Sequence, residues 1–435
     1  MSVIASPFRE ITFVPAATSM AARIPAQRWV RRGCGLALVA APLAFGATTV
    51  TGRVLLVACA WVSFLAWLIG GARAGRIELA TLPVMLPAAL LLAFTALHWV
   101  AGLSANPAAT QFEWLRWMGT LALAVAAGES FITPARLRQL AGILALAGLA
   151  VALFAIAQYL TSNGKLYWLV EPAQGGWFFG PYVNRNHFAG LMELWLPLAL
   201  GLALMPENTF IRRWLWCLVA LVMATAVALS GSRGGMAAIG LEVLVLTLAA
   251  AALRGRRAFV GLTVAIVLLV AALATLGRGE IFERYRPSMQ WSSGNQEASV
   301  YRMQAWSGAA EIFRQNWAIG TGLDTFANHF PALRPFSTDK TWYYAHNDYL
   351  QFAAETGVAG LALAGWAVGA GWREAWRNLE RTRGTATGAL LTGIACACLG
   401  FMAHGWVDFN FHIPANAANF SVLAVVLTRR GWDED

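Results

Sequence analysis

At ~150 residues per domain, 435 residues would make about three soluble domains, but this chain is 58% hydrophobic and 12% charged, with a mean hydropathy of +0.56. Soluble domains carry roughly 25% charged residues, so this chain could not cover three of them with a polar surface. That excludes a secreted disulfide scaffold, a cytosolic enzyme and a disordered chain, and it excludes a transmembrane β-barrel, whose strands alternate apolar and polar residues. The net charge of +10 rests on 32 basic residues, of which only Lys165 and Lys340 are lysines. The five cysteines (Cys34, Cys59, Cys217, Cys396 and Cys398) all fall inside apolar runs. Cys396 and Cys398 are two apart on a predicted helix and point in different directions. Neither a disulfide nor a zinc site is expected.

The N-terminus places Arg23, Arg28, Arg31 and Arg32 before an apolar run, like a signal-peptide n-region. No A-x-A-like cleavage site stands at the right distance and a second apolar run follows, so an uncleaved first helix is expected. Apolar windows of ~20 residues predict an all-α polytopic membrane protein of about twelve spans. They cover 33–50, 54–71, 79–100, 112–130, 139–160, 186–205, 214–231, 234–253, 258–276, 350–372, 385–406 and 414–428. The seventh and eighth meet at Ser230-Gly-Ser-Arg-Gly-Gly235, and the last is short. Three stretches result: nine spans over 1–276 with an aromatic loop at 161–185, a long loop at 277–349, and three spans over 350–435. Within the long loop, Met303, Trp306, Ala310, Phe313 and Trp317 recur at helical spacing. An amphipathic helix is expected over 299–317, lying on the membrane surface or the bundle. Gly320 and Gly322 should end it, with a shorter helix over 323–333.

If the N-terminus is cytoplasmic, 20 of the 32 basic residues fall in short inside segments, as the positive-inside rule requires. Both termini are then inside. All six histidines, all eight tyrosines and both lysines lie on the outer side or at outer helix ends. Part of this follows from the longer outer loops. But His98, His187, His404 and His412 stand at four separate helix mouths, which points to a titratable site at the outer face.

Four clusters converge there. Asn184-Arg-Asn-His-Phe-Ala-Gly190 puts Arg185 and His187 at a helix N-terminus between two amides, which suits an anion or, more plainly, helix capping. Arg233, between two spans, cannot face lipid cheaply. The glycines beside it suit close approach to a ligand or a tight turn. Arg302 lies beside the apolar stripe of the surface helix and points either inward or to solvent. His346-Asn-Asp-Tyr-Leu-Gln351 sets a histidine, the side chain best suited to proton abstraction near neutral pH, just before a span. Asp348 or Glu355 could orient its ring, and Asn347, Asp348 and Gln351 could touch a substrate. The segment 404–412 is read as structural or as supporting the same cavity. No D-x-D pair, Walker A, His-Glu-x-x-His or Gly-x-Ser-x-Gly motif marks the outer segments. Arginine with histidine suits an anionic leaving group such as a diphosphate on a lipid.

Arg185-Asn-His-Phe-Ala-Gly, Ser232-Arg-Gly-Gly, Tyr301-Arg-x₃-Trp with Gly320-x-Gly322, and His346-Asn-x₂-Leu-Gln together resemble the O-antigen ligase and polymerase superfamily. The similarity covers mostly residues 180–415, and the first five spans are generic. It implies a GT-C-like inner-membrane glycosyltransferase with its active site facing the periplasm. The donor would be an undecaprenyl-diphosphate-linked glycan and the acceptor, for a ligase, a sugar hydroxyl of lipid A–core. His346 would be the general base. Arg233 and Arg302 would hold the diphosphate, with Arg185 and His187 nearby. Transfer would invert the anomeric carbon without a metal or other cofactor, and no nucleic acid is a partner. The alternatives are a polymerase or protein O-oligosaccharyltransferase using the same donor. A lipid-linked glycan transporter, drawing on intramembrane Glu113, Arg116, Glu193 and Glu242, is a third.

Overall fold

The structure, a computed structural model, describes residues 25–75, 77, 79, 82–171, 178–254, 294–335 and 341–432. The ninth predicted span, 258–276, lies outside them, as do Arg23 and Lys340. The regular elements among the described residues are all helices, with no named strand and only isolated bridges at Leu166–Val170 and Phe179–Tyr182. The helices are α1 (Pro25–Leu43), α2 (Val50–Arg73), α3 (Leu82–Val100), α4 (Pro107–Gly128), α5 (Pro134–Leu160), α6 (Arg185–Ala203) and α7 (Phe210–Ser230). They continue as α8 (Arg233–Arg254), α9 (Gly294–Gln315), α10 (Phe326–Leu333), α11 (Asp348–Arg381), α12 (Ala386–His404) and α13 (Pro414–Thr428).

Their starts are chemically specified. Thr49, Asn106, Thr133, Asn184, Thr209, Asn347 and Thr385 each accept a backbone N–H of the helix they precede. Proline opens α4, α5 and α13, where its missing N–H costs nothing. Left-handed Gly231 ends α7 and separates it from α8, as the sequence suggests. The first helix begins earlier than expected and stops at Leu43, before a 3₁₀ turn at Phe45–Ala47.

Helices α2, α5, α7, α8, α11 and α12 are long and apolar enough to cross a membrane, and Val84–Val100 and Pro414–Thr428 are shorter apolar helices. The chain is a multi-pass membrane protein. Buried α6 is the hub: every residue from His187 to Ala203 is buried. It never meets lipid, so it tolerates Glu193 and Pro197. Against it lies α12, where a Cβ on Gly393 would stand 2.5 Å from the Pro197 carbonyl oxygen, so only glycine permits the approach. Short α13 is buried too. Its asparagines bond across helices: Asn419 Oδ1 accepts from Trp195 Nε1 (2.9 Å) and its Nδ2 donates to the Leu38 carbonyl (3.1 Å). Asn416 accepts from Tyr182 Oη (2.7 Å) and donates to the His187 carbonyl (2.8 Å).

The expected surface helix is α9, but its buried face differs from the expected stripe. Ala305, Ala309 and Ile312 pack inward, while Met303 and Trp317 are 64% and 62% exposed. Small alanines let α9 approach α10 and α11, with Phe313 and Trp306 half-buried at the edge of that face and Ala310 exposed. The turn after α9 then enters a break in α11. Gly357 sits at φ 64°, ψ −166° inside that helix. Val358 and Ala359 N–H donate to the carbonyls of Trp317 (2.8 Å) and Ala318 (3.1 Å). Thr321 and Gly322 N–H donate to Ala354 (3.2 Å) and Glu355 (2.9 Å). Backbone groups freed by the break are thus paired with a non-helical segment, as burial demands.

Gly357→Ala adds a side chain in a region open essentially to glycine alone and places its Cβ 2.5 Å from the Ala318 carbonyl carbon. We expect a loss on the order of 1–3 kcal/mol, read as a lower unfolding midpoint in detergent. An unchanged midpoint would show that the break accepts a side chain.

Candidate functional site

His346 ends the segment that leads into α11, with a left-handed φ of 54°. A non-glycine residue holds that conformation only when its surroundings impose it. Asn347 Oδ1 accepts the N–H groups of Tyr349 (3.1 Å) and Leu350 (3.0 Å). Trp306 Nε1 donates to the His346 carbonyl (3.1 Å), and Gln351 Oε1 accepts from Ala345 N–H (2.9 Å). Asp348 donates its N–H to the Gly405 and Asp408 carbonyls at 2.9 and 3.2 Å. Its carboxylate accepts from His412 Nδ1 (2.8 Å) and Phe411 N–H (3.2 Å). Asn347, Asp348 and Gln351, candidate ligand contacts by sequence, are buried and bonded within the protein. Together they hold the backbone that presents His346.

Neither Asp348 nor Glu355 orients the His346 ring. Glu355 accepts from Asp324 N–H (2.9 Å), Phe326 N–H (3.2 Å) and Gln351 Nε2 (3.0 Å). Facing His346 instead is Asp408, whose Oδ1 lies 3.4 Å from His346 Nδ1. That is ion-pair distance without the alignment of a hydrogen bond, and such contacts tighten when a substrate binds. Asp408 is fully buried and also accepts from Phe409 N–H (2.9 Å) and from Asn186 Nδ2. Burial works to raise its pKa, but the His346 contact outweighs it. With His187 and Arg302 adding to that effect, the carboxyl is held well below the usual range. A carboxylate there favours the Nδ1–H tautomer of His346 and leaves Nε2 with the lone pair. Asp408 follows the last histidine-bearing helix in a turn, with no spacing signal to link it to His346 in the sequence.

The arginines approach from the other elements. Arg185 opens α6, and its Nη1 lies 3.3 Å from where a Cβ of Gly231 would stand, so it reaches the turn between α7 and α8. Arg302 on α9 and Arg233 at the start of α8 are close enough to repel its charge. Three cations thus gather where α6 and α8 point their N-termini, an arrangement that favours an anion. His187 is buried against Phe409, ring centres 4.7 Å apart, with its Nε2 unbonded. His346 meets the same Phe409 ring at 4.7 Å.

Two details of the expected cradle change. Asn184 and Asn186 do not face an anion: one caps α6 and the other holds Asp408. Gly234 and Gly235 serve packing. A Cβ on Gly234 would lie 2.5 Å from His404 Nε2, and one on Gly235 would lie 2.4 Å from Ala189 Cβ. Beneath them His404 Nδ1 and Glu193 Oε1 form a buried pair at 2.7 Å. Among the described residues no group of three or more His, Cys, Asp or Glu is arranged to hold a metal ion.

Residues 218–365 match the O-antigen ligase family. No curated protein matches the chain. The family contains ligases and polymerases, glycosyltransferase-like enzymes that act on lipid-linked polysaccharides. Arg233, Arg302 and His346 fall inside the matched segment, while Arg185, His187 and Asp408 join them from α6 and the turn before α13.

A second histidine–carboxylate pair, His412–Asp348, lies beside the first. Burial alone would lower the His412 pKa. The bond and charge of Asp348 outweigh it, and with Glu355 and Glu113 they push it up to about 9. The unfolded value is ~6.5, so this pair stabilises the fold fully below that pH and progressively less as pH rises through about 9. We expect the unfolding midpoint to fall over that window and the fall to be shallower in His412→Gln. Equal slopes in both proteins would show that His412 is not the titrating group.

Proposed function

We propose that this O-antigen ligase family protein joins a glycan, carried on undecaprenyl diphosphate, to a sugar hydroxyl of lipid A–core. The site end of the bundle faces the periplasm, and both termini are cytoplasmic in the bacterial inner membrane. The observation that carries the reading is the pairing of His346 with buried Asp408 beside the Arg185–Arg233–Arg302 group.

In this mechanism His346 Nε2 takes the proton of the acceptor hydroxyl as its oxygen attacks the anomeric carbon. The bond from that carbon to the diphosphate oxygen breaks, and its electron pair leaves with the diphosphate. Arg185, Arg233 and Arg302 neutralise that charge as it develops, in the role a metal ion plays elsewhere. His187 Nε2 offers a further donor. Asp408 is a positioning residue that fixes the His346 tautomer and stabilises the imidazolium. Asn347, Asp348 and Gln351 act through the backbone of His346 rather than on substrate. Attack in line with the leaving group inverts the anomeric carbon.

A polymerase using the same donor is the second reading, because the matched family contains both. The lipopolysaccharide of a deletion strain separates them: bare core with polymer retained on the carrier marks a ligase, and core bearing one repeat marks a polymerase.

General-base catalysis is worth about 10²–10⁴-fold, so His346→Ala should lose at least that in transfer by purified protein while donor still binds. Asp408→Asn should be impaired in rate with little change in either KM. Arg233→Lys, which loses the bidentate fork, should fall about tenfold or more. Full transfer by well-folded His346→Ala would overturn the base assignment.

A further inference from the structure

A cavity of about 380 Å³ lies between α3, α4, α11, α12 and α13, away from the arginines. It follows α13 and the turn before it from His412 to Thr428, roughly 24 Å at 1.5 Å per residue. Apolar side chains such as Leu92, Trp117, Phe352, Trp372 and Phe420 make its walls. Hydroxyls along it are turned back on their own helices: Thr95 to Leu92 (3.1 Å), Thr120 to Arg116 (2.9 Å) and Thr428 to Ala424 (2.8 Å). Such a slot offers a ligand only dispersion contacts and escape from water, so it fits a hydrocarbon chain.

Its other end is polar. Glu113, Asp348, Glu355 and His412 all line it. Glu113 is paired with Arg116 and Asp348 with His412, while Glu355 accepts from two backbone N–H groups and from Gln351. No surplus of cations stands there to draw a diphosphate, in contrast to the three arginines beside His346. Behind Glu113, and outside the lining itself, Arg116 donates to the Phe411 carbonyl at 3.3 Å and lies 4.3 Å from the centre of the Trp117 ring.

The slot and the arginine site share one partition, the turn 405–412. Phe409 meets His187 and His346, and it also stacks on Tyr344 at 4.4 Å. Tyr344 in turn meets His412 at 4.9 Å, at the mouth of the slot. An in-line displacement needs its nucleophile on the side of the anomeric carbon away from the diphosphate. The arginines come from α6, α8 and α9, and the slot is walled by α3, α4, α11 and α13.

We propose that the slot seats a hydrocarbon chain of the acceptor lipid, with hydroxyl-bearing groups of its head at the end lined by Glu113 and His412. This rests on the transferase reading above, and it assigns the two lipids of that reaction to separate sides of the turn 405–412.

A photoreactive amino acid at Ala367, which lines the slot, tests the occupant directly in the full-length protein in native membranes. The expected adduct has the mass of the acceptor glycolipid, and Ala124→Trp, which fills the slot, abolishes it. An adduct with a polyprenyl diphosphate, an adduct with ordinary phospholipid alone, or no adduct would overturn the proposal. In transfer assays Ala124→Trp should raise the acceptor KM about tenfold and leave the donor KM unchanged. A rise in donor KM instead would assign the slot to the donor. Ala364→Trp, on the opposite wall, should reproduce the effect, which separates filling of the slot from damage to α4. The adduct reports the occupant even if the wild-type protein transfers no glycan, so failure of the proposal and failure of the transferase reading are distinguishable.

Discussion

Asp408 is a carboxylate with no exposure to solvent, in a protein that is mostly apolar. Its charge is sustained only if the surroundings replace water, because an uncompensated buried ion costs several kcal/mol. They do so from four directions: Asn186 from α6, the N–H of Phe409 from its own turn, His346 from the segment before α11, and Arg302 from α9 through space. Each brings a different part of the chain to one point. Removing the charge would leave Arg185, Arg233 and Arg302, which already repel one another, without the carboxylate that faces them.

The scaffold makes this arrangement possible by keeping lipid and water away from it. Central α6 carries Arg185, Asn186 and His187 in its first turn and is buried along the rest of its length. Asn416 of α13 grips the backbone of His187, and Asn347 and Gln351 grip the backbone around His346. The break at Gly357 docks the end of α9 against α11 and so brings Arg302 alongside. Conformational strain at His346 is therefore imposed by packing on several sides, as expected for a group that must be presented in one orientation.

Most helices are legible in the sequence because apolar run length and capping residues act locally. Thr133-Pro134 and Thr209 announce α5 and α7 at the residues where they begin. Buried α13 is the hardest span to read for a physical reason: Asn416 and Asn419 dilute its hydropathy, and their partners, Trp195, Tyr182, Leu38 and His187, are far away in sequence. Arginine and histidine at helix mouths stand out because neither is tolerated against lipid. The partner of His346 is not legible, since Asp348 and Glu355 are nearer in the chain and equally acidic. Which carboxylate faces the ring depends on how the turn 405–412 folds back, and only tertiary structure decides that. On α9 the spacing of the large apolar residues suggests a packing face, but close approach to α10 and α11 selects the alanines. Likewise Gly234 and Gly235 accommodate His404 and Ala189, contacts that no local pattern encodes.

Direct transfer at His346 requires the acceptor oxygen to replace the diphosphate in a single displacement. The decisive measurement is the anomeric configuration of the linkage made by the purified protein from defined lipid-linked donor and acceptor in detergent. A single displacement predicts a product whose configuration is inverted relative to the donor. Retention of configuration would require a double displacement or attack on the same face as the leaving group, and it would contradict in-line attack by an acceptor oxygen deprotonated at His346.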